Sequence, residues 1–408
     1  MKDVLNKVRI LPKKFWLSDM EAVVVIMSML IFIGTITISS ASLITAYEDF
    51  DTPYFFLVRH VAFLAFSSVL FILIARFFNY KHLQSWGVPM LLVTILLLIA
   101  VLLIGIDVNG ARRWLPLGFM QFQPSEFAKF AMIIATASYL GRRLDKNLPI
   151  SLNPLKIRLP IFCGIIAYLV EKQPDMGTAM VIVAVPAFMY IVAGLDKRLV
   201  ALLLFVLSVI AGLVATFQPY RLARLEVWYD PWSDPKDAGY QIVQSILAIG
   251  SGQFSGMGLG QGFSKYSYLP ESHTDFAFAV YCQETGFIGV VLITVLILAL
   301  AFYCTRIAAR ANDGFGKMLG VGLTMLVIGQ AVGNMAMVIG LLPVIGVPMP
   351  FISYGGTSLL MNMISIALII SIGRKASAKN KTPAPPPPQN MRPYTDKNGK
   401  VTHLYRVK

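Results

Sequence analysis

At 408 residues the chain is long enough for two or three soluble domains, yet 56% of it is hydrophobic and only 14% is charged, with a mean hydropathy of +0.68. Such a composition excludes a soluble enzyme and a disordered scaffold, and apolar runs without period-two alternation exclude an outer-membrane β-barrel. The net charge of +14 acquires meaning only when the charges are placed relative to a bilayer.

Apolar runs of about 20 residues, at 1.5 Å per residue, match a hydrocarbon core of roughly 30 Å. They predict an all-α polytopic membrane protein of about ten helices: 22–45, 55–78, 88–106, 126–140, 159–171, 178–194, 199–217, 276–304, 319–341 and 358–373. With residues 1–21 inside, 26 of the 35 Lys and Arg fall on the cytoplasmic side and 14 of the 21 acids on the outer side. The positive-inside rule therefore puts both termini in the cytoplasm, and the basic bias reflects topology and no nucleic-acid partner. Basic residues before a long apolar run read as an uncleaved signal anchor. Cys163, Cys282 and Cys304 lie in or at helices and offer neither a disulfide framework nor a metal cluster.

After helix 3 comes Gly110-Ala111-Arg112-Arg113-Trp114, and Gln123-Pro124-Ser125-Glu126-Phe127-Ala128-Lys129 opens helix 4 with Ser125 as the expected N-cap. A helix N-terminus flanked by Arg112, Arg113 and Lys129 suits an anion; equally, Glu126 and Lys129 could simply pair. Glu171 to Thr178 joins helices 5 and 6, and Pro343 to Ser358, which includes Ser353, joins helices 9 and 10. Both connections lie on the same outer face. Gly316, Gly320, Gly329 and Gly333 are expected to serve close helix packing.

Between helices 7 and 8, residues 218–275 form a 58-residue outer loop, a length uncommon unless functional. Its Gly250–Gly262 stretch holds six Gly in 13 residues and reads either as a phosphate nest or as plain flexibility. It ends in Leu269-Pro270-Glu271-Ser272-His273-Thr274-Asp275-Phe276, with Ser272 or Thr274 as the expected helix cap. Asp275 then stands in an outer cavity, as an acid serving a helix N-terminus or as a catalytic group. Residues 374–408, with nine Lys and Arg and six Pro, are expected to be a disordered cytoplasmic tail that meets lipid headgroups or a partner. Residues 22–373 form the membrane domain.

The Gly110–Lys129 segment, Lys172–Ala179, Gly239-Tyr240-Gln241, Leu269–Phe276 and Gly340–Ser358 resemble, in order and in the expected loops, the signatures of the SEDS family of cell-wall polymerases, which includes FtsW, RodA and SpoVE. Asp230-Pro231-Trp232 and the Gly258–Glu271 stretch are more similar to its division and sporulation types than to its elongation type. Two departures are visible. Gln283-Glu284-Thr285 stands where members often carry two Glu and a Leu, and Ser255-Gly256 stands within a run that is commonly Gly-Gly-Leu-Phe-Gly. The resemblance implies a glycosyltransferase of the bacterial cytoplasmic membrane at the division site. It would polymerise lipid II beside a class B penicillin-binding protein and other divisome membrane proteins, with the acid matching Asp275 essential.

The chemistry is consistent with that expectation. A sugar leaving as a polyprenyl diphosphate needs cations, not a second carboxylic acid, to stabilise the leaving group, unlike most glycosidases. Asp275 would serve as general base. Arg59, Arg112, Arg113 and Lys129 would hold the diphosphate, and Glu126 and Asp175 would orient those cations, with His273 and Ser353 lining the site. No cofactor is implied with certainty, and although a divalent Mg or Mn ion between Asp275 and the diphosphate is compatible with these residues, no ligand set specifies it. A lipid II flippase using the same groove is the alternative; it would favour acids at mid-membrane, which the sequence does not show.

Overall fold

The computed structural model describes residues 17–108, 110–117, 120–150, 159–202, 205–206, 226–237, 239–266, 269–381, 391–395 and 401–406. In chain order its helices are α1 (Asp19–Ala41), α2 (Leu43–Phe50), α3 (Phe55–Phe77), α4 (Leu83–Ile104), α5 (Pro124–Asp145), α6 (Leu159–Glu171), α7 (Met176–Val192), α8 (Tyr240–Ser251), α9 (Ala277–Ala309), α10 (Gly314–Val338) and α11 (Gly356–Lys381). Among the described residues six helices are long and apolar enough to cross a membrane, and α6 and α7 are shorter apolar helices. Every predicted span except 199–217 coincides with a helix; that span lies largely outside the described residues.

Local signals account for the helix starts. Ser18 and Glu21 form a capping box at α1, the Glu21 carboxylate accepting from the Ser18 N–H at 2.7 Å. The central helix is α5, which packs against α4, α10 and α7. It carries Glu126, Lys129, Arg142 and Arg143, so it is the least apolar of the long helices, yet Ala128 and most residues from Phe130 to Ala137 are buried. Neighbouring helices shield it from lipid, which is where a membrane protein keeps its polar helix. Two of the four singled-out glycines make close helix contacts: Gly316 lies against Tyr80, and a methyl on Gly320 would stand 2.6 Å from the Ala308 Cβ. Gly329 meets only its own helix at Met325, and a methyl on Gly333 would enter open space.

Short sheets depart from the all-α expectation. Between α4 and α5, β1 (Ile106–Val108), β2 (Ala111–Leu117) and β3 (Met120–Phe122) form an antiparallel meander. Val108 pairs with Ala111, so β1 and β2 form a tight hairpin, with Gly110 at φ 75°. In the tail, α11 continues to Lys381, and β4 (Met391–Thr395) pairs with β5 (Val401–Arg406).

The outer segment before α9 is also structured. It contains α8, and part of its glycine-rich stretch is held by backbone hydrogen bonds to α9. Gly286 adopts φ 63° and ψ −161°, which breaks α9. Residues 253–258 lie against that break. Met257 and Gly258 donate to the carbonyls of Gln283 and Glu284 at 3.0 Å each, while Phe287 donates to Gln253 at 3.0 Å and Ile288 to Phe254 at 3.3 Å. Backbone groups freed by the break are satisfied by the loop, as a lipid environment requires. Side chains reinforce the join: Gln283 accepts from the N–H and hydroxyl of Ser264 at 3.1 and 2.6 Å. Buried Glu284 accepts from Ser40 and lies 3.7 Å from buried Lys265. The Gln at 283 therefore serves the loop anchor.

This arrangement predicts that Gly286→Ala destabilises the protein. Backbone strain at this φ costs roughly 1–3 kcal/mol, and the added methyl would stand 2.7 Å from the Phe254 carbonyl oxygen. Thermal unfolding in detergent micelles should show a lowered midpoint; an unchanged midpoint would refute the account of the break.

Candidate active site

Three connections converge on a fourth, the Pro343–Ser358 segment. The turn ahead of α9 places Asp275 on one side. Asn334, buried in α10, donates through one amide nitrogen to the Asp275 carbonyl at 2.7 Å and to the Val347 carbonyl at 2.8 Å. A methyl on Gly346 would stand 3.3 Å from the Asp275 carboxylate, which is partly exposed. Tyr354 donates its N–H to the His273 carbonyl at 2.9 Å. On the other side, Thr357 accepts from the Gln123 N–H at 3.4 Å and donates to the Gln121 carbonyl at 3.1 Å, which ties the segment to β3 and the start of α5. The start of α7 touches it as well: a methyl on Gly177 would lie 2.8 Å from Val347 Cγ2.

Each predicted residue has a definite place. Lys129 and Glu126, 2% and 4% exposed, pair at 2.7 Å, so the simpler of the two readings describes their contact. Arg113 donates to the carbonyl of Gln173 at 3.1 Å and to that of Pro174, clamping the α6–α7 connection. Arg112 is 54% exposed and 3.7 Å from Asp107. Arg59 stacks over Phe55 at 5.3 Å and lies near Tyr354, whose phenol burial pushes up against the opposing pull of that guanidinium. Ser353 is buried, its hydroxyl accepting from the Met349 N–H at 2.9 Å.

Asp175 caps α7 by accepting from the Thr178 N–H at 3.1 Å, and accepts from Gln123 and Ser125 at 3.2 Å each. Two expectations about helix caps are corrected. Gln123, not Ser125, is the N-cap of α5, because Pro124 takes the first helical position where its missing N–H costs nothing. Neither Ser272 nor Thr274 caps α9, whose cap position is Phe276. Ser272 instead donates to the Ala41 carbonyl at 3.2 Å, and Thr274 to the Glu271 carboxylate at 2.6 Å. Glu271 and Phe351 both hold positive φ, 54° and 67°, so backbone strain gathers in these turns. Among the described residues no group of three or more His, Cys, Asp or Glu comes together to hold a metal. The Asp275 donor set does not specify one, and no step is routed through it.

The His273 ring lies 4.5 Å from Phe56 and 5.8 Å from Tyr354. Burial holds its pKa below the ordinary 6.5, against the weaker pull of Glu271 and Asp49, so it is neutral at pH 7. Sequence reasoning missed Asn334, Gln123, Tyr354 and Thr357. Only Asn334 carried a signal, a buried amide one turn after Gln330 within a largely apolar helix.

A core of membrane-length apolar helices whose connecting turns meet around the Pro343–Ser358 segment defines a polytopic membrane protein. The family model described as "Cell cycle protein", covering FtsW, RodA and SpoVE, matches residues 20–378, and the chain belongs to this family. It is 39% identical over 357 residues to a protein of Hahella chejuensis named "Probable peptidoglycan glycosyltransferase FtsW", with 86% of this chain and 89% of that one covered. It is 37% identical over 355 residues to "Stage V sporulation protein E" of Bacillus subtilis, covering 86% and 96%. Among solved structures it resembles a chain from "Structural coordination of polymerization and crosslinking by a peptidoglycan synthase complex" with a TM-score of 0.70, 26% identity and 86% and 97% coverage. The rod shape determining protein RodA of Thermus thermophilus matches with a TM-score of 0.63, 26% identity and 86% and 96% coverage.

Two outcomes follow. Removing one member of the buried Glu126–Lys129 pair, as in Glu126→Gln, strands a buried charge and should cost roughly 3–5 kcal/mol, whereas Glu126→Gln with Lys129→Met should recover most of it; thermal unfolding of the variants checks this. Because the folded state favours neutral His273, its contribution to stability is full above 6.5 and is lost as pH falls below that value. His273→Gln should flatten that part of the melting-midpoint curve.

Proposed function

We propose that the chain is a peptidoglycan glycosyltransferase of the bacterial cytoplasmic membrane, polymerising lipid II during cell division. The observation that carries this reading is the convergence of the Asp275 turn and the Gln123–Lys129 helix start on one segment, Pro343–Ser358, through Asn334, Tyr354 and Thr357. Asp275 acts as general base. As the 4-hydroxyl oxygen of the acceptor sugar attacks the donor's anomeric carbon, the bond to the diphosphate breaks and its electron pair leaves with undecaprenyl diphosphate. The hydroxyl proton passes to the Asp275 carboxylate, and the anomeric configuration inverts.

The cations divide by their state in the structure. Arg112 and Arg59, partly exposed, meet the diphosphate first and neutralise its growing charge. Arg113 fixes the α6–α7 connection and presents its remaining N–H groups. Lys129 stands behind them as a buried, Glu126-oriented group. His273 and Ser353 shape the cavity wall, and Asp175 joins the α5 and α7 ends. Ten membrane helices with both termini inside, an outer loop over 218–275 and a cytoplasmic tail over 374–408 complete the arrangement. A class B penicillin-binding protein is the expected partner, since strand polymerisation and crosslinking act on the same product; other divisome proteins and membrane lipids surround the pair.

Asp275→Ala in the protein reconstituted with its partner should lower glycan polymerisation from lipid II by at least about a hundredfold while leaving folding and complex formation intact. Arg112→Gln should weaken donor capture more than the rate at saturating lipid II. Full polymerisation by Asp275→Ala would overturn the general-base role, and rapid lipid II crossing of liposome bilayers with no polymer formed would favour the flippase reading.

A further inference from the structure

The 22 residues of α5 span about 33 Å at 1.5 Å per residue, so its Asp145 end lies at the membrane face opposite the candidate site. A cleft of about 610 Å³ opens there between α4, α5 and α6, within the range of sites for small amphipathic molecules. Its walls are apolar, with Val88, Leu92, Ala135, Leu159 and Phe162, and Arg142, Arg143 and Lys146 stand in its lining. No acid lines it among the described residues. The neighbouring Asp145 is turned elsewhere, accepting from the Gly314 N–H at 2.7 Å.

The three cations are not consumed by ion pairs among the described residues. Among the described residues Arg143 donates to the Pro149 carbonyl and stacks over Tyr139 at 5.5 Å, and Arg142 makes a long contact, 3.4 Å, to the Gln84 carbonyl. Ser138 and Tyr139 belong to the lining, and their hydroxyls have no hydrogen-bond partner among the described residues. An apolar slot topped by three cations, at a face that its basic residues mark as cytoplasmic, is complementary to one kind of molecule. We propose that this cleft binds an anionic phospholipid of the inner leaflet, with an acyl chain between α4, α5 and α6 and the phosphate at Arg142, Arg143 and Lys146.

The test uses the full chain in detergent, titrated with phosphatidylglycerol, phosphatidylcholine or inorganic phosphate, with retained ligand counted by native mass spectrometry. Phosphatidylglycerol should be retained in preference to phosphatidylcholine. Arg142→Gln with Lys146→Gln should weaken its retention about tenfold or more. Val88→Trp, which fills the slot and leaves the charges in place, should weaken it comparably, and the variants' unchanged melting midpoints would show that they fold. Equal retention of the two lipids, or retention unchanged in both variants, overturns the proposal. Displacement of phosphatidylglycerol by millimolar inorganic phosphate with Val88→Trp behaving as wild type would also overturn it, by showing a phosphate contact without a lipid slot.

Discussion

One side chain holds the outer face together. The Asn334 amide sits fully buried in a largely apolar helix, and through it the carbonyls of Asp275 and Val347 share a donor. Two carbonyls left unpaired at that depth would each cost on the order of 1–3 kcal/mol. The contact therefore sets where the turn carrying Asp275 stands relative to the Pro343–Ser358 segment. That segment in turn reaches β3 and α5 through Thr357. A carboxylate on one chain segment and the helix start carrying Lys129 on another are both tied to this segment by neutral hydrogen bonds.

That division of labour would suit the proposed transfer from a diphosphate-linked sugar. Asp175 accepts from neutral donors, Lys129 pairs with Glu126, and Arg112 stays half exposed beside Asp107. Preorganised charge of this kind needs little rearrangement as negative charge develops. The break at Gly286 serves the same end from the other direction. By letting the 253–258 segment dock against α9, it leaves the turn before the helix anchored at both ends.

Hydrophobic length made the membrane helices legible, because a bilayer imposes a single scale on every crossing. The grouping of outer loops was legible too, since alternating crossings put Gly110–Lys129, Lys172–Ala179, Leu269–Phe276 and Gly340–Ser358 on one face. What escaped was everything decided by tertiary hydrogen bonds. Ser125 looks like a cap until Pro124 claims the first turn and Asp175 claims the hydroxyl. The glycines of 250–262 look mobile or anion-binding until a broken helix supplies their partners, because such a break is a single φ value at Gly286 that no pattern announces. Asn334 looks like an isolated polar residue because its partners come from segments distant in the chain.

The account stands or falls on whether Asn334 positions Asp275. Asn334→Leu keeps the branched side-chain shape and removes both N–H donors, so lipid II binding and the rate of glycan bond formation, measured separately on the reconstituted complex, give the most direct test. Binding within about twofold of wild type with a rate reduced by roughly a hundredfold, the scale expected when a reacting group is misplaced by about 1 Å, is the predicted result. A folded variant that forms glycan bonds at the wild-type rate would contradict it.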